Sequence, residues 1–393
     1  MIETFGSAVG ASSSLPGCNT VIVEALHAWR IPSDNHIRNL LDEVSPKTIY
    51  PIFDTLISTW QASTVAQEFV GIAGTHLIAL DGTLYFSSDT IHCEACSQRE
   101  SKGKITYSHT VITPVLVTPG RNQVIALRPE FITPQDGQKK QDCEVNAAKR
   151  WLGQYHQYYG NMKATILGDD LYSHQPFCEA VSEQKLHFVL VCKEESHTTL
   201  YEFVQYLESI GEVKHLDVRQ WAGKKWDTVA YRYANGVPIR DSQDALRVNW
   251  CEGQVFNQQG KLIYRNAFIS DYEITDENVA MVFQSGRARW KIENENNNTL
   301  KTKGYHLEHN FGHGQKHLAS LLATLNILAF AVHTLLEFFD EKYQELRTAL
   351  SSRQKFFEHI RALTVYLCFN SWDHLLSFML QGLKEPHRLP DTS

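Results

Sequence analysis

The sequence predicts a mixed α/β fold: a sheet of parallel and antiparallel strands flanked by helices, followed by an all-helical C-terminal region. Three observations carry that expectation. Short runs rich in β-formers begin near residue 70 with Gly, Pro and Asn between them. Apolar strand-like runs then alternate with amphipathic stretches, and helical patterning takes over from Asp276 to the end. The chain has 393 residues, 43% hydrophobic and 21% charged, which excludes a disordered or collagen-like polymer and allows two or three domains.

Taken in order, Pro32 to Val44 reads as a helix capped by Ser33 or Asp34, with Ile37, Leu40 and Leu41 on its apolar side. Arg30, Arg38 and Lys47 are outnumbered there by Glu3, Glu24, Asp34, Asp42, Glu43 and Asp54, so this end is not a basic DNA-reading arm. His76 to Leu80, Ile105 to Val117 and Gln123 to Ile132 read as strands of an antiparallel meander. The amphipathic stretch Asp142 to Tyr158, the run Ala164 to Leu167, a helix near Pro176 to Glu183 and the run His187 to Cys192 add strands in parallel through helical crossovers. Residues 198–211 read as helix. Thr228 to Tyr233, Ala245 to Trp250 and Lys261 to Arg265 mark an inserted β-rich subdomain within 215–270. Gly304, Gly312 and Gly314 break the helical pattern that follows.

Ala319 to Phe339 is long enough to span a bilayer, but Thr324, Asn326, His333, Thr334 and Glu337 interrupt it, so it reads as a buried helix. The start MIETFGSAVGASSSLPGC lacks the basic-then-apolar pattern of a signal peptide, so a cytoplasmic protein without membrane association is expected. Its 8 Cys then read as buried or functional thiols, with no disulfide. With 37 basic and 44 acidic residues the net charge is −7, which argues against non-specific coating of nucleic acid.

Three acidic positions stand out. Asp81 closes the apolar run HLIAL, Asp169 closes ATILG, and Glu293 lies in RARWKIE on a predicted helix. Carboxylates at the ends of adjacent strands, joined by one from a helix, make an oxygen-rich pocket suited to Mg²⁺, two of which can serve a phosphodiester displacement. Singly, each has an ordinary explanation: Asp-Gly after a strand is a common turn, and a helical Glu is usually solvated. Asp170 competes with Asp169, because one residue at a strand end reverses which side chain enters the site. Glu295 and Glu308 compete with Glu293.

The order of these elements, a strand ending in Asp, more strands, a helix, a second strand ending in Asp and a helix bearing Glu, resembles the ribonuclease H-like polynucleotidyl transferases. Within them the chain resembles DDE transposases of bacterial insertion sequences, in the group with a Tyr-Arg-Glu-Lys helical signature. The matching text is ALDGT around Asp81, LGDDLYSHQPFC from 167 to 178, and GRARWKIENENNNTLKTKGYHLEHNFGHG from 286 to 314. Arg289 precedes Glu293 by one helical turn, placing both on one face. The signature Lys corresponds to Lys301, one residue further from Glu293 than the signature spacing, and its Tyr falls on Gly286, so that member is missing.

The resemblance implies a ribonuclease H-like mixed five-stranded sheet with a β-rich insertion before the catalytic Glu. It divides the chain into a truncated helical N-terminal region (1–68), the two parts of the core (69–212 and 273–335), the insertion (213–272) and a helical C-terminal region (336–393). It implies catalysis and Mg²⁺ binding by Asp81, Asp169 and Glu293, with Mn²⁺ able to substitute, and phosphate contacts from Arg289 and Lys301. The implied partners are DNA, as terminal inverted repeats and target, and a second copy of the chain when on DNA, with nucleoid association. The competing expectations are a truncated or decayed relative that dimerises or binds DNA without catalysis, and a different ribonuclease H-like nuclease.

Outside that pattern, Cys93 and Cys96 form a C-x-x-C pair, and with His109 and Cys143 they make a candidate structural zinc set; thiols packed in the core are the other reading. His306, His309, His313 and His317 recur at helical spacing, but lack the H-E-x-x-H zinc-protease pattern and read as hydrogen-bonding or phosphate-contacting groups near the active site. Trp221 and Trp226 suit either core packing or stacking on an unpaired base.

Overall fold

A computed structural model of the protein describes residues 33–134, 140–221, 223 and 226–384, with the backbone alone for 140–143. Residues 1–32, and with them Pro32, lie outside the described residues. The elements run α1 (Asp34–Asp42), α2 (Tyr50–Gln61), β1 (His76–Ala79), β2 (Gly82–Ser88), β3 (Ser97–Ser101), β4 (Lys104–Ile112), β5 (Val115–Val117), β6 (Ile125–Ala126) and β7 (Glu130–Phe131). There follow α3 (Lys140–Gly153), α4 (Tyr155–Tyr159), β8 (Ala164–Gly168), α5 (Gln175–Glu183), β9 (His187–Val191) and α6 (Thr198–Ser209). Then come β10 (Lys214–Trp221), β11 (Trp226–Pro238), β12 (Arg247–Phe256), β13 (Leu262–Ser270) and α7 (Val279–Arg287). A π-helix (Ile292–Asn297) leads into α8 (Asn298–Thr302), α9 (Leu318–Phe339), α10 (Glu341–Ala349), α11 (Arg353–Tyr366) and α12 (Trp372–Lys384).

These elements fall into two compact units: residues 61–83 with 110–297, and the described residues of 1–60 with 84–109 and 298–384. The first unit is a mixed sheet in the order β10-β11-β12-β13-β9-β8-β1-β5-β6. At its centre β1, β8 and β9 run parallel, while β5 and β13 pair antiparallel on either side. HLIA, ATILG and HFVLV are buried almost throughout, as parallel strands covered on both faces must be. The one polar residue among their buried positions is Thr165, whose hydroxyl lies 2.6 Å from that of Thr75 and 2.8 Å from that of Tyr272.

Two sequence expectations change here. The run Ile105 to Val117 is two strands, because Thr113 and Pro114 part β4, which belongs to a second sheet (β2-β4-β3, with β7 on β4), from β5 in the main one. A proline without an N–H suits such a break. The main sheet also has nine strands where five are expected, since β10 to β13 continue it: β13 pairs β9 at Phe268↔Val191, Ile269↔Leu190 and Ser270↔Val189. Inside that extension Glu252, 1% exposed, accepts from Arg232 at 2.9 Å and from Arg265 at 2.9 and 2.7 Å. Helix α7 comes down closely on these strands: a Cβ on Gly286 would stand 2.6 Å from the Phe268 ring.

In the second unit α9 is the one described helix long and apolar enough to cross a membrane, yet 56% of its most apolar window is buried. It acts as a core helix, with Leu321, Ile327, Leu328, Phe330 and Ala331 each at most 2% exposed. Its N-terminus is capped from a distance in sequence. The Asp42 carboxylate accepts from the backbone N–H groups of Gln315 (2.9 Å), Lys316 (3.1 Å), His317 (2.9 Å) and Leu318 (2.8 Å). Burial raises the Asp42 pKa, but the four N–H groups outweigh it and hold the carboxyl below its usual range. Helices α10 to α12 close a core around Tyr343, Leu346, Phe356 and Leu376.

Candidate active site

Asp81 follows β1 by two residues and Asp169 follows β8 by one. The strands are parallel neighbours in register (Ala79↔Leu167), so both carboxylates emerge at the same end of the sheet. Glu293 stands in the first turn of the π-helix. All three lie in the first unit. Charge ties them together: burial, then Glu144, then Asp169 and Glu293 push Asp81 up to about 7, with Arg289 pulling the other way. Burial also raises Asp169, against the Leu171 N–H and the charge of Arg289.

The neighbours of each carboxylate differ. Asp81 accepts from Asn297 Nδ2 at 2.8 Å, and Asn297 is itself held by the Thr113 hydroxyl at 2.9 Å. Asp169 accepts from Leu171 N at 3.0 Å. Asp170 faces the loop after β9, accepting from Lys193 N at 2.7 Å and the Ser196 hydroxyl at 2.5 Å. Glu293, with its side chain 52% exposed, pairs with Arg289 at 2.8 Å. Among the described residues the three carboxylates do not form a group with ligand atoms within 4.8 Å of one another.

A fourth carboxylate, Glu144, was hidden in plain sight. It lies on α3, 7% exposed, and accepts from Gly82 N at 3.2 Å and from the Tyr172 hydroxyl at 2.9 Å. The signal is positional: Glu144, Ala147, Ala148, Trp151 and Leu152 follow the i, i+3, i+4, i+7, i+8 pattern of a buried face. An acid on that face needs either a partner or a function. Asn297 escapes sequence reasoning because its hydrogen bond to Asp81 joins positions 216 residues apart in the chain.

Lys301, in the second unit, pairs with Glu308 at 2.8 Å. Trp221 and Trp226 face each other across the end of the β10–β11 hairpin with ring centroids 5.5 Å apart, and at 53% and 47% exposure neither packs in the core. The four His of 306–317 do not share a helix face, because residues 303–317 form no helix.

His313 instead joins Cys93, Cys96 and His109, all in the second unit and all buried, in a group that can hold a metal such as zinc. The side chain of Cys143, expected in that set, lies outside the described residues. Burial pushes the Cys96 thiol up to about 11 and holds His109 down at about 4. Comparison with models of known protein families and with curated proteins gives no match.

Proposed function

We propose that the protein is a DDE transposase with a ribonuclease H-like core. It hydrolyses DNA at the ends of its element and joins the freed 3′-OH to target DNA. The observation that carries this reading is the emergence of Asp81 and Asp169 from the same end of adjacent parallel strands, within electrostatic reach of Glu293 and Arg289. The element order supports it too: β1 ending before Asp81, then β5 and β6, α3, β8 ending before Asp169, and finally the π-helix with Glu293.

The donor set suits Mg²⁺, being built from carboxylates whose mutual repulsion, with burial, already raises Asp81 to about 7. Asp81, Asp169 and Glu293 would hold the ions, and Mn²⁺ would substitute. When bound, they supply charge neutralisation at the scissile phosphate and activation of the attacking oxygen. The chain's own groups do the rest. Asn297 fixes the Asp81 carboxylate by its 2.8 Å hydrogen bond. Glu144 anchors the turn after Asp81 through Gly82 N. Arg289, 18% exposed at its side chain, exchanges Glu293 for a DNA phosphate oxygen and frees Glu293 to turn inward. In the first step water attacks phosphorus and the element's 3′-oxygen leaves as a 3′-OH; in the second that 3′-OH attacks a target phosphodiester and the target strand's 3′-oxygen leaves. The net charge of −7 requires a local DNA-binding surface, completed by a second copy of the chain on DNA. Such a protein works in the cytoplasm, on the nucleoid.

The test is nicking of a duplex that carries the DNA flanking the gene, with Mg²⁺ or Mn²⁺, by wild type beside Asp81→Ala and Glu293→Ala. Metal-dependent cleavage by wild type and its loss in both variants is the expected result. A folded wild type that binds DNA or dimerises but cuts nothing would replace this reading with that of a decayed relative acting as an inhibitor.

A further inference from the structure

Cys93 and Cys96 lie in the loop between β2 and β3, His109 on β4, and His313 in the irregular stretch before α9. Five of the six distances between their ligand atoms match the edges of a tetrahedral site, and all four atoms lie within 4.8 Å of one another. Cys93 Sγ to Cys96 Sγ is 3.9 Å, and Cys93 Sγ to His109 Nε2 is 3.5 Å. Cys96 Sγ stands 3.4 Å from both His109 Nε2 and His313 Nε2, and the two Nε2 atoms are 3.1 Å apart. A zinc ion bound tetrahedrally at about 2.3 Å to sulfur and about 2.05 Å to nitrogen sets edges of about 3.8 Å for S–S, about 3.6 Å for S–N and about 3.3 Å for N–N. The observed edges fall within about 0.3 Å of those values.

Proton placement points the same way. His313 Nδ1 lies 2.9 Å from the Gly314 carbonyl, which can only accept, so Nδ1 carries the proton and Nε2 turns a bare lone pair toward the thiols. That backbone contact is the outer support a metal-ligating imidazole requires. Phe86 packs against both rings, at 4.4 Å from His313 and 5.7 Å from His109, and Tyr85 stacks on His109 at 5.6 Å, closing the group from water.

We propose that Cys93, Cys96, His109 and His313 bind one structural Zn²⁺, which staples the β2–β4–β3 sheet to residues 303–317. This proposal is independent of the transposase reading. The physical need is plain: 303–317 has no regular structure, and His306, Gly304, Gly312 and Gly314 all adopt positive φ, so side-chain anchors must hold it. Asp42 anchors its end, and the zinc ion anchors its middle. Two thiolates and two neutral imidazoles leave the bound site uncharged, which suits its burial.

The full-length protein, purified without chelator, should contain about one zinc per chain by elemental analysis, falling toward zero in Cys96→Ser and His313→Ala. His313→Cys, which returns a zinc-binding thiolate, should retain the metal, and Cys368→Ser, at an exposed cysteine outside the group, should leave it unchanged. Cobalt-substituted protein should show the intense visible absorption and thiolate charge-transfer bands of a tetrahedral S₂N₂ site. Chelation should open 303–317 to proteolysis. A folded wild type that takes up neither zinc nor cobalt would overturn the proposal, as would a Cys93–Cys96 disulfide in the protein made under reducing conditions, or zinc retained in both Cys96→Ser and His313→Ala.

Discussion

Replacing Asp81 by Asn should make the metal-free protein more stable while abolishing its proposed chemistry. In the wild type, burial and the charges of Glu144, Asp169 and Glu293 raise the Asp81 pKa from 3.8 to about 7. A carboxyl raised on folding binds its proton more tightly in the folded state, so its contribution is fully present below about pH 4 and is lost as pH climbs through 7. Each tenfold change in proton affinity is about 1.4 kcal/mol, so complete ionisation would cost about 4 kcal/mol. Asp81 is only half-buried and water screens it, so about 1–3 kcal/mol should be recovered by Asp81→Asn at pH 8. The Asn side-chain oxygen keeps the hydrogen bond from Asn297 Nδ2. At about 2–4 °C per kcal/mol for a unit of this size, thermal unfolding with chelator present should shift up by several degrees at pH 8 and hardly at all at pH 4. Adding Mg²⁺ should stabilise wild type by mass action and leave the variant unmoved. A destabilised variant at pH 8, or an equal shift at both pH values, would refute the claim that Asp81 sits in a repulsive, cation-seeking cluster.

Three further outcomes follow from the same geometry. Glu144→Gln keeps an acceptor for Gly82 N and the Tyr172 hydroxyl but removes the charge that acts most strongly on Asp81, so the acid limb of the Mg²⁺-dependent pH–rate profile should move to lower pH; an unmoved limb would show that Glu144 does not act on Asp81. Arg289→Ala should weaken DNA binding on every sequence alike and reduce the slope of log affinity against log salt by about one, measured by fluorescence anisotropy across a salt series; an unchanged slope means Arg289 meets no phosphate. Gly286→Tyr should destabilise the fold by about 1–3 kcal/mol in denaturant unfolding, because even a Cβ there stands 2.6 Å from Phe268; a variant as stable as wild type would contradict that close approach.

Much of the architecture was legible because it depends on local pattern. The buried runs ATILG and HFVLV announce strands covered on both faces, and each element named after residue 140 in the sequence reading overlaps one in the structure. The errors came where one run serves two sheets. Nothing local in Ile105 to Val117 distinguishes β4 from β5 except Pro114, and β3 is too polar and exposed to stand out as a core strand.

The candidate carboxylates show where local information stops. The sequence alone determined that Asp81 and Asp169 end apolar strands and that Arg289 and Glu293 share a helical turn, because strand ends and i, i+4 pairs are properties of short segments. Only the tertiary structure decided that Glu144 and Asn297 stand beside Asp81, that Asp170 turns instead to Lys193 and Ser196, and that His313 meets Cys96 across more than two hundred residues. Those meetings depend on strand order and on the path of an irregular segment, both set by how buried surfaces fit together. No residue carries that fit in its own neighbourhood, since packing is a property of surfaces brought together by the whole chain.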